Sequence, residues 1–214
     1  ISDKEINAPF YVTNPSLIVV TKDEYFKKFS MIKDITENGT IIINTNKTEG
    51  ELASLFSLED IKIIKERNVK VYTIDASLIA ANSGIRGKIS KIIEMIILEK
   101  LEIPNAYELL ESSIKESFKT KGENIINSNI NAIKEAVKNL KEINIKENNT
   151  KTKETDLDVF SKINHRLGDE LTVSEVSSLK TGTFPDGLSK LEKRHVNNMA
   201  PKWIKENCIE CGRC

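Results

Sequence analysis

Three cysteines stand together as Cys208-Ile209-Glu210-Cys211-Gly212-Arg213-Cys214, a C-x2-C-x2-C spacing. Two-residue gaps let one tight loop aim three thiolates at an object a few ångströms across, as a cubane [4Fe–4S] cluster requires. Amides between the cysteines can then hydrogen-bond the cluster sulfurs, and Gly212 lets the backbone come close. The bacterial ferredoxin run goes on to a fourth cysteine, which serves a second cluster. Here the sequence stops at the third, so the fourth ligand is expected outside it. Structural zinc is the alternative, but zinc sites usually come as two C-x2-C pairs well separated in sequence.

A second constellation is Asn44-Thr45-Asn46-Lys47-Thr48, which follows an apolar run and enters a helix. Amides, hydroxyls, a lysine and a helix N-terminus at one place suit a phosphate. The alternative is that Thr48 is only an N-cap and Lys47 only solvated. Asp75 reads as an ordinary cap for the helix through Leu78. Gly84 and Gly87 flank Arg86 in what reads as a simple turn before a helix, with a phosphate site as the weaker alternative. His165 and His195 have no acidic or cysteine neighbour at ligand spacing and read as surface residues, not catalysts.

The elements that must position these residues come from a chain of 214 residues, 39% hydrophobic and 30% charged. That is enough apolar content for a buried core. Thirty-two basic residues balance thirty-two acidic ones, and the signs are mixed along the chain. No nucleic-acid partner is implied. No apolar run reaches the ~18 residues of a membrane helix. The closest, Ile89 to Leu98, is interrupted by Lys91 and Glu94. With every cysteine in the terminal cluster there is no disulfide framework, which points to a reducing compartment, the cytoplasm. Ile1-Ser2-Asp3-Lys4 is neither a start methionine nor a secretory signal, so both ends are expected to be cuts in a longer polypeptide.

Leu17 to Val20, Thr40 to Ile43 and Val69 to Ile74 read as strands. Asp23 to Ile35 carries Tyr25, Phe26, Phe29, Ile32 and Ile35 at helical spacing. Thr48-Glu49-Gly50-Glu51 fits a capping box opening another helical stretch. Ser77 to Leu140 is helical throughout, with helices over about 88–101 and 106–118. A third follows Lys121-Gly122, with Ile126, Ile130, Ile133, Val137 and Leu140 on one face. The expected fold is α/β, an open parallel sheet with covering helices. An irregular connector and a truncated ferredoxin-like segment should follow it. The expected boundaries are 11–143 for the α/β domain, 144–158 for a solvated linker, 159–205 for the connector and 206–214 for the start of the cluster domain.

Several motifs follow one another in order: Gly168-Asp169-Glu170-Leu171-Thr172-Val173-Ser174, Thr181-Gly182-Thr183-Phe184-Pro185, Leu191-Glu192-Lys193-Arg194, Pro201-Lys202-Trp203-Ile204 and Glu206-Asn207-Cys208. This run resembles the segment of single-chain pyruvate:ferredoxin (flavodoxin) oxidoreductases that leads into their inserted two-cluster ferredoxin domain. Upstream, Tyr25-Phe26, Gly39-Thr40, Val71 to Ala76, Gly84-Ile85, Lys88-Ile89 and Lys121-Gly122-Glu123 fit that family's γ domain in order. The chain departs from the family at Arg86, Ser90 and His195.

The resemblance implies an enzyme that oxidatively decarboxylates pyruvate on thiamine diphosphate and Mg held in other domains. It would deliver the acetyl group to coenzyme A and pass electrons through [4Fe–4S] clusters to ferredoxin or flavodoxin. The full-length enzyme is expected to be a homodimer. The present chain would carry no catalytic residues and be inactive alone. Asn44, Thr45, Asn46, Lys47 and Thr48 become candidates for the coenzyme A phosphates. Cys208, Cys211 and Cys214 become cluster ligands, with Trp203 packing the connector onto the cluster domain. The alternatives are a γ–δ subunit of a multi-chain 2-oxoacid:ferredoxin oxidoreductase and a stand-alone iron–sulfur electron carrier.

Overall fold

The computed structural model describes Glu5 and residues 12–145, 158–179, 181–183, 186–187, 190 and 201–212. The expected domain start at Tyr11, most of the linker, Phe184-Pro185, Leu191 to His195 and Cys214 lie outside the described residues.

Three strands, β1 (Leu17–Val20), β2 (Thr40–Asn44) and β3 (Lys70–Ile74), pair in parallel in that order. Their side chains alternate between two apolar layers. Ile42 and Ile74 face one, with Leu17, Val19 and Tyr72 packed beside them. Val20, Ile41, Ile43 and Val71 face the other. Both layers are covered, which is why these strands read as nearly continuous apolar runs.

The coverage follows from handedness. The β1-to-β2 and β2-to-β3 crossovers move across the sheet in the same direction, so right-handed connections put both on one face. Phe56, Ile61 and Ile64, from the helical stretch between β2 and β3, accordingly share a layer with Ile32 and Ile35. That stretch is two helices, α1 (Glu49–Ala53) and α2 (Leu58–Glu66), each opened by its own capping box at Thr48 and Ser57. After β3 the chain passes to the opposite face and builds α3 (Ala76–Asn82), α4 (Ser90–Lys100), α5 (Ala106–Phe118) and α6 (Glu123–Lys138). Ile92, Ile96, Leu110, Ile114 and Ile133 form the centre of that layer.

Three expectations are corrected. Asp23 to Ile35 is not one helix: only Asp23–Lys27 is helical, as a short 3-10 turn. The Arg67 guanidinium donates to the carbonyls of Lys33 and Ile35, where a helix would use its own amides. Ile32 and Ile35 are nevertheless fully buried, so the apolar spacing marked inward residues on an irregular path.

In α6 the buried stripe is Asn129, Ile130, Ala132, Ile133 and Ala136, whereas Val137 is 38% exposed. Small Ala132 and Ala136 let α6 pack closely on its neighbours, and alanine adds little to an apolar pattern.

The sheet also has a fourth strand, β4 (Lys141–Ile143), antiparallel to β3, so it is mixed rather than purely parallel. Ile143 and Ile145 are both buried in the layer that holds Val71. A three-residue edge strand of sequence Lys-Glu-Ile has no alternation long enough to read; pairing with β3 decides it.

The connector is less irregular than expected. It forms α7 (Val159–Asn164) and α8 (Val173–Val176), with 3-10 turns at Gly168–Glu170 and Ser177–Leu179. Lys162 pairs with Glu175, which also accepts from the Thr172 amide and hydroxyl. The Lys162 and Thr172 contacts lower the Glu175 pKa to about 2. Arg166 reaches back to Asp34 of the α/β domain at 2.6 Å. Among the described residues no helix is long and apolar enough to cross a membrane.

Candidate functional site

The β2 and β3 connections leave the sheet toward opposite faces, β2 into α1 and β3 into α3. A crevice must open between adjacent strands whose connections part in this way, beyond their carboxyl ends. A cleft of about 660 Å³ lies there, lined by Lys22 to Glu24 after β1, Asn44 to Lys47 after β2, and Asp75, Ser77, Leu78, Ala81, Arg86 and Gly87. A smaller cleft of about 240 Å³ adjoins it along Thr45 to Lys47, Asp75 and Lys141.

Four of the five phosphate-site candidates, Asn44 to Lys47, line these clefts, whereas Thr48 lines neither. Asn44 is 6% exposed. Its Nδ2 donates to the Thr21 carbonyl at 3.0 Å, and its Oδ1 accepts from the Ala76 amide at 2.9 Å. Its side chain therefore ties the end of β1 to the start of α3. The Thr45 hydroxyl donates to Asp23 Oδ2 at 2.8 Å and accepts from the Lys47 amide at 3.1 Å. Lys47 Nζ pairs with Asp23 Oδ2. Thr48 is half of a capping box: its amide and hydroxyl both donate to Glu51 Oε2, at 2.9 and 2.8 Å. Asn46 lines both clefts. Asp75 caps α3 by accepting from the Leu78 amide at 2.8 Å, as expected.

Burial pushes the Asp23 carboxyl up, but the Lys47 and Thr45 hydrogen bonds, the Lys47 charge and the Glu24 amide outweigh it and hold the group below its ordinary value. Asp23 is thus ionised at neutral pH and satisfies Lys47. Lys22 and Arg86 have no ion-pair partner among the described residues and line the same cleft. Glu24 Oε2 is buried there without a partner among the described residues. The crevice is therefore mixed in charge, with unpaired cations at Lys22 and Arg86 and a committed one at Lys47. Local sequence assigns Arg86 to a turn and gives Lys22 no role. Topology alone puts them on one cleft, because Arg86 is reached only after α3 has crossed behind β3.

The cysteine loop follows a 3-10 turn, Lys205–Asn207. Glu210 and Gly212 take left-handed φ values of 56° and 70°, which fold the chain back twice within a few residues. The Glu210 amide donates to Cys208 Sγ at 3.4 Å. A hydrogen bond from the Trp203 indole and that amide lower the Cys208 pKa, with burial opposing them. N–H donors on sulfur and a lowered thiol pKa favour the thiolate, the soft donor that iron–sulfur clusters use. Among the described residues no three metal-binding side chains are gathered, and Cys214 lies outside them, so the fit to such a group rests on the chemistry of Cys208 alone. Trp203 is 65% exposed, so within this chain it contacts the loop without being covered. His165 Nδ1 lies 2.8 Å from the Ser161 carbonyl, with no titratable partner beside it in the described residues.

Compared with known proteins, residues 1–139 match the family described as pyruvate ferredoxin/flavodoxin oxidoreductase, and residues 150–197 match a domain of unknown function. A pyruvate-flavodoxin oxidoreductase of Klebsiella pneumoniae is 24% identical over 99% of this chain and 19% of its own length. A pyruvate:ferredoxin oxidoreductase of Moorella thermoacetica is 28% identical over 98% of this chain and 19% of its own. The chain thus spans about a fifth of the length of these relatives. Among solved structures, the pyruvate oxidoreductase subunit PORC of Thermotoga maritima aligns with a TM-score of 0.49 at 20% identity, over 62% of this chain and 67% of that one.

Proposed function

The chain belongs to the pyruvate ferredoxin/flavodoxin oxidoreductase family, and on that premise we propose that it is the coenzyme A-handling and cluster-entry portion of a larger 2-oxoacid oxidoreductase. The enzyme would oxidise pyruvate to acetyl-coenzyme A and CO2 and reduce ferredoxin or flavodoxin. It would work in the cytoplasm as a homodimer, with thiamine diphosphate and Mg held outside this chain. The observation that carries this reading is the joining, in one chain, of a family-matched α/β domain to a C-x2-C-x2-C run.

In this reading the crevice beyond the carboxyl ends of β1, β2 and β3 receives the coenzyme A phosphates. Asn44 and the Thr48 cap hold the walls. Thr45, Asn46 and Lys47 present amides and an ammonium, and Lys22 and Arg86 add unpaired charge. Cys208, Cys211 and Cys214 would supply three thiolates to one [4Fe–4S] cluster, which carries single electrons when bound. The Glu210 amide and the Trp203 indole would orient Cys208 and favour its ionised form. No residue of the chain is assigned a bond-making step.

The test is Cys211→Ala in the full-length protein, with iron counted and the low-temperature spin-resonance spectrum recorded. Loss of about one cluster's iron, with pyruvate-dependent ferredoxin reduction crippled, is expected. Retention of every cluster with an unchanged spectrum would remove Cys211 from the ligand set.

A further inference from the structure

Trp203 is the chain's one tryptophan and stands five residues before Cys208. Within this chain it is 65% exposed, so packing does not hold it in place. What it makes instead is a polar contact: its indole N–H donates to Cys208 Sγ. The local backbone sets that contact. The Asn207 amide donates to the Ile204 carbonyl and the Cys208 amide to the Lys205 carbonyl, both at 3.1 Å. These bonds close the 3-10 turn Lys205–Asn207, which shortens the path from residue 203 to residue 208 and brings indole and sulfur together.

The donors are unevenly shared between the described cysteines. Cys208 Sγ takes the indole and, at 3.4 Å, the Glu210 amide. Cys211 is exposed, and its sulfur receives no N–H among the described residues. Backbone amides can serve any tight cysteine loop, whatever its sequence. The indole is different: it is a donor supplied by one side chain, so a substitution can remove it.

We propose that Trp203 is a positioning residue that, through its indole N–H, sets the reduction potential of the iron–sulfur cluster held by Cys208. This rests on the cluster reading of the cysteine loop given above. An electron added to a cluster makes its ligand sulfurs more negative. A fixed N–H donor stabilises that reduced state more than the oxidised one, and so raises the potential. Phenylalanine at 203 keeps an aromatic ring and removes the N–H, which separates the hydrogen bond from bulk.

The test uses the full-length protein in a reductive titration, with each cluster followed by low-temperature spin resonance. In Trp203→Phe one cluster should keep its iron while its one-electron equilibrium shifts about tenfold toward the oxidised form, a fall of ~59 mV. The other clusters should not move. Trp203→His, which returns a ring N–H, should recover part of the fall. A potential unmoved in Trp203→Phe, with iron intact, would overturn the proposal. So would an equal fall in both variants, since bulk rather than the N–H would then be the cause. If Trp203→Phe loses iron, Trp203→His decides. A cluster retained only with the N–H supports the role, and loss in both overturns it and leaves Trp203 a packing residue. Failure of the underlying cluster reading has a separate sign, because Cys211→Ala would then leave every cluster's iron in place.

Discussion

In the proposed reading, the Asp23–Lys47 ion pair serves both the fold and the ligand. The pair closes the rim of the strand-end crevice, and Thr45 braces it from the side. A coenzyme A phosphate and Asp23 would compete for the same ammonium. Lys47→Ala in the full-length enzyme should therefore weaken coenzyme A by about tenfold to a hundredfold. Asp23→Asn should tighten it, and pyruvate decarboxylation should stay unchanged in both. Titration calorimetry checks this; coenzyme A affinity unmoved by either change would leave the pair a rim brace only. The pH dependence has a definite sign. Asp23 is held below its ordinary value of 3.8, so its stabilising contribution is complete above that value and disappears as pH falls through its lowered folded pKa. Asp23 is thus ionised and able to hold Lys47 at neutral pH.

At the level of elements, the Asn38-Gly39 turn before β2 divides its work in an unexpected way. Asn38 takes the left-handed φ of 55°, while Gly39 is needed for space. A Cβ on Gly39 would lie 2.6 Å from Ile35 Cγ1 and 2.9 Å from the Thr36 carbonyl. Gly39→Ala should destabilise the chain by about 1–3 kcal/mol, because a backbone oxygen as well as a side chain must move. Gly50→Ala, in α1, is the control: a Cβ there meets nothing within 4 Å. It should be neutral or stabilise by about 0.5–1 kcal/mol through helix propensity. The urea unfolding midpoint should fall for Gly39→Ala and hold or rise for Gly50→Ala, and a Gly39→Ala midpoint at or above that of the parent chain would contradict the packing argument.

Across the whole molecule, order follows burial. Ile41, Ile42 and Ile43 of the inner strand β2 are fully buried, while Trp203, Ile204 and Ile209 are 65%, 52% and 85% exposed. The Arg166–Asp34 pair joins connector to α/β domain, but both side chains are partly exposed, so it is worth about 0–1 kcal/mol. Hydrogen exchange of the chain should find the β2 amides slowest and residues 201–212 fastest, with Arg166→Ala changing neither class. Protection of 201–212 equal to that of β2 would mean that the cysteine loop is anchored far better than its contacts allow.

The sequence alone was sufficient for the three parallel strands, α4, α5 and α6, both family-bearing segments and the capping box at Thr48. Those features rest on local periodicity, on caps within four residues, or on motif order along the chain. It did not determine that Arg67 would claim the carbonyls of Lys33 and Ile35 and stop a helix there. Nor did it determine that Lys141–Ile143 would pair with β3. The mixed charge of the strand-end crevice was equally hidden. It depends on residues distant in sequence becoming neighbours: Lys47 on Asp23, Arg86 on Lys22. Local pattern fixes which residues must be buried or capped. Only the tertiary path, which sends the chain leaving β2 and the chain leaving β3 to opposite faces of one sheet, decides which charges then meet.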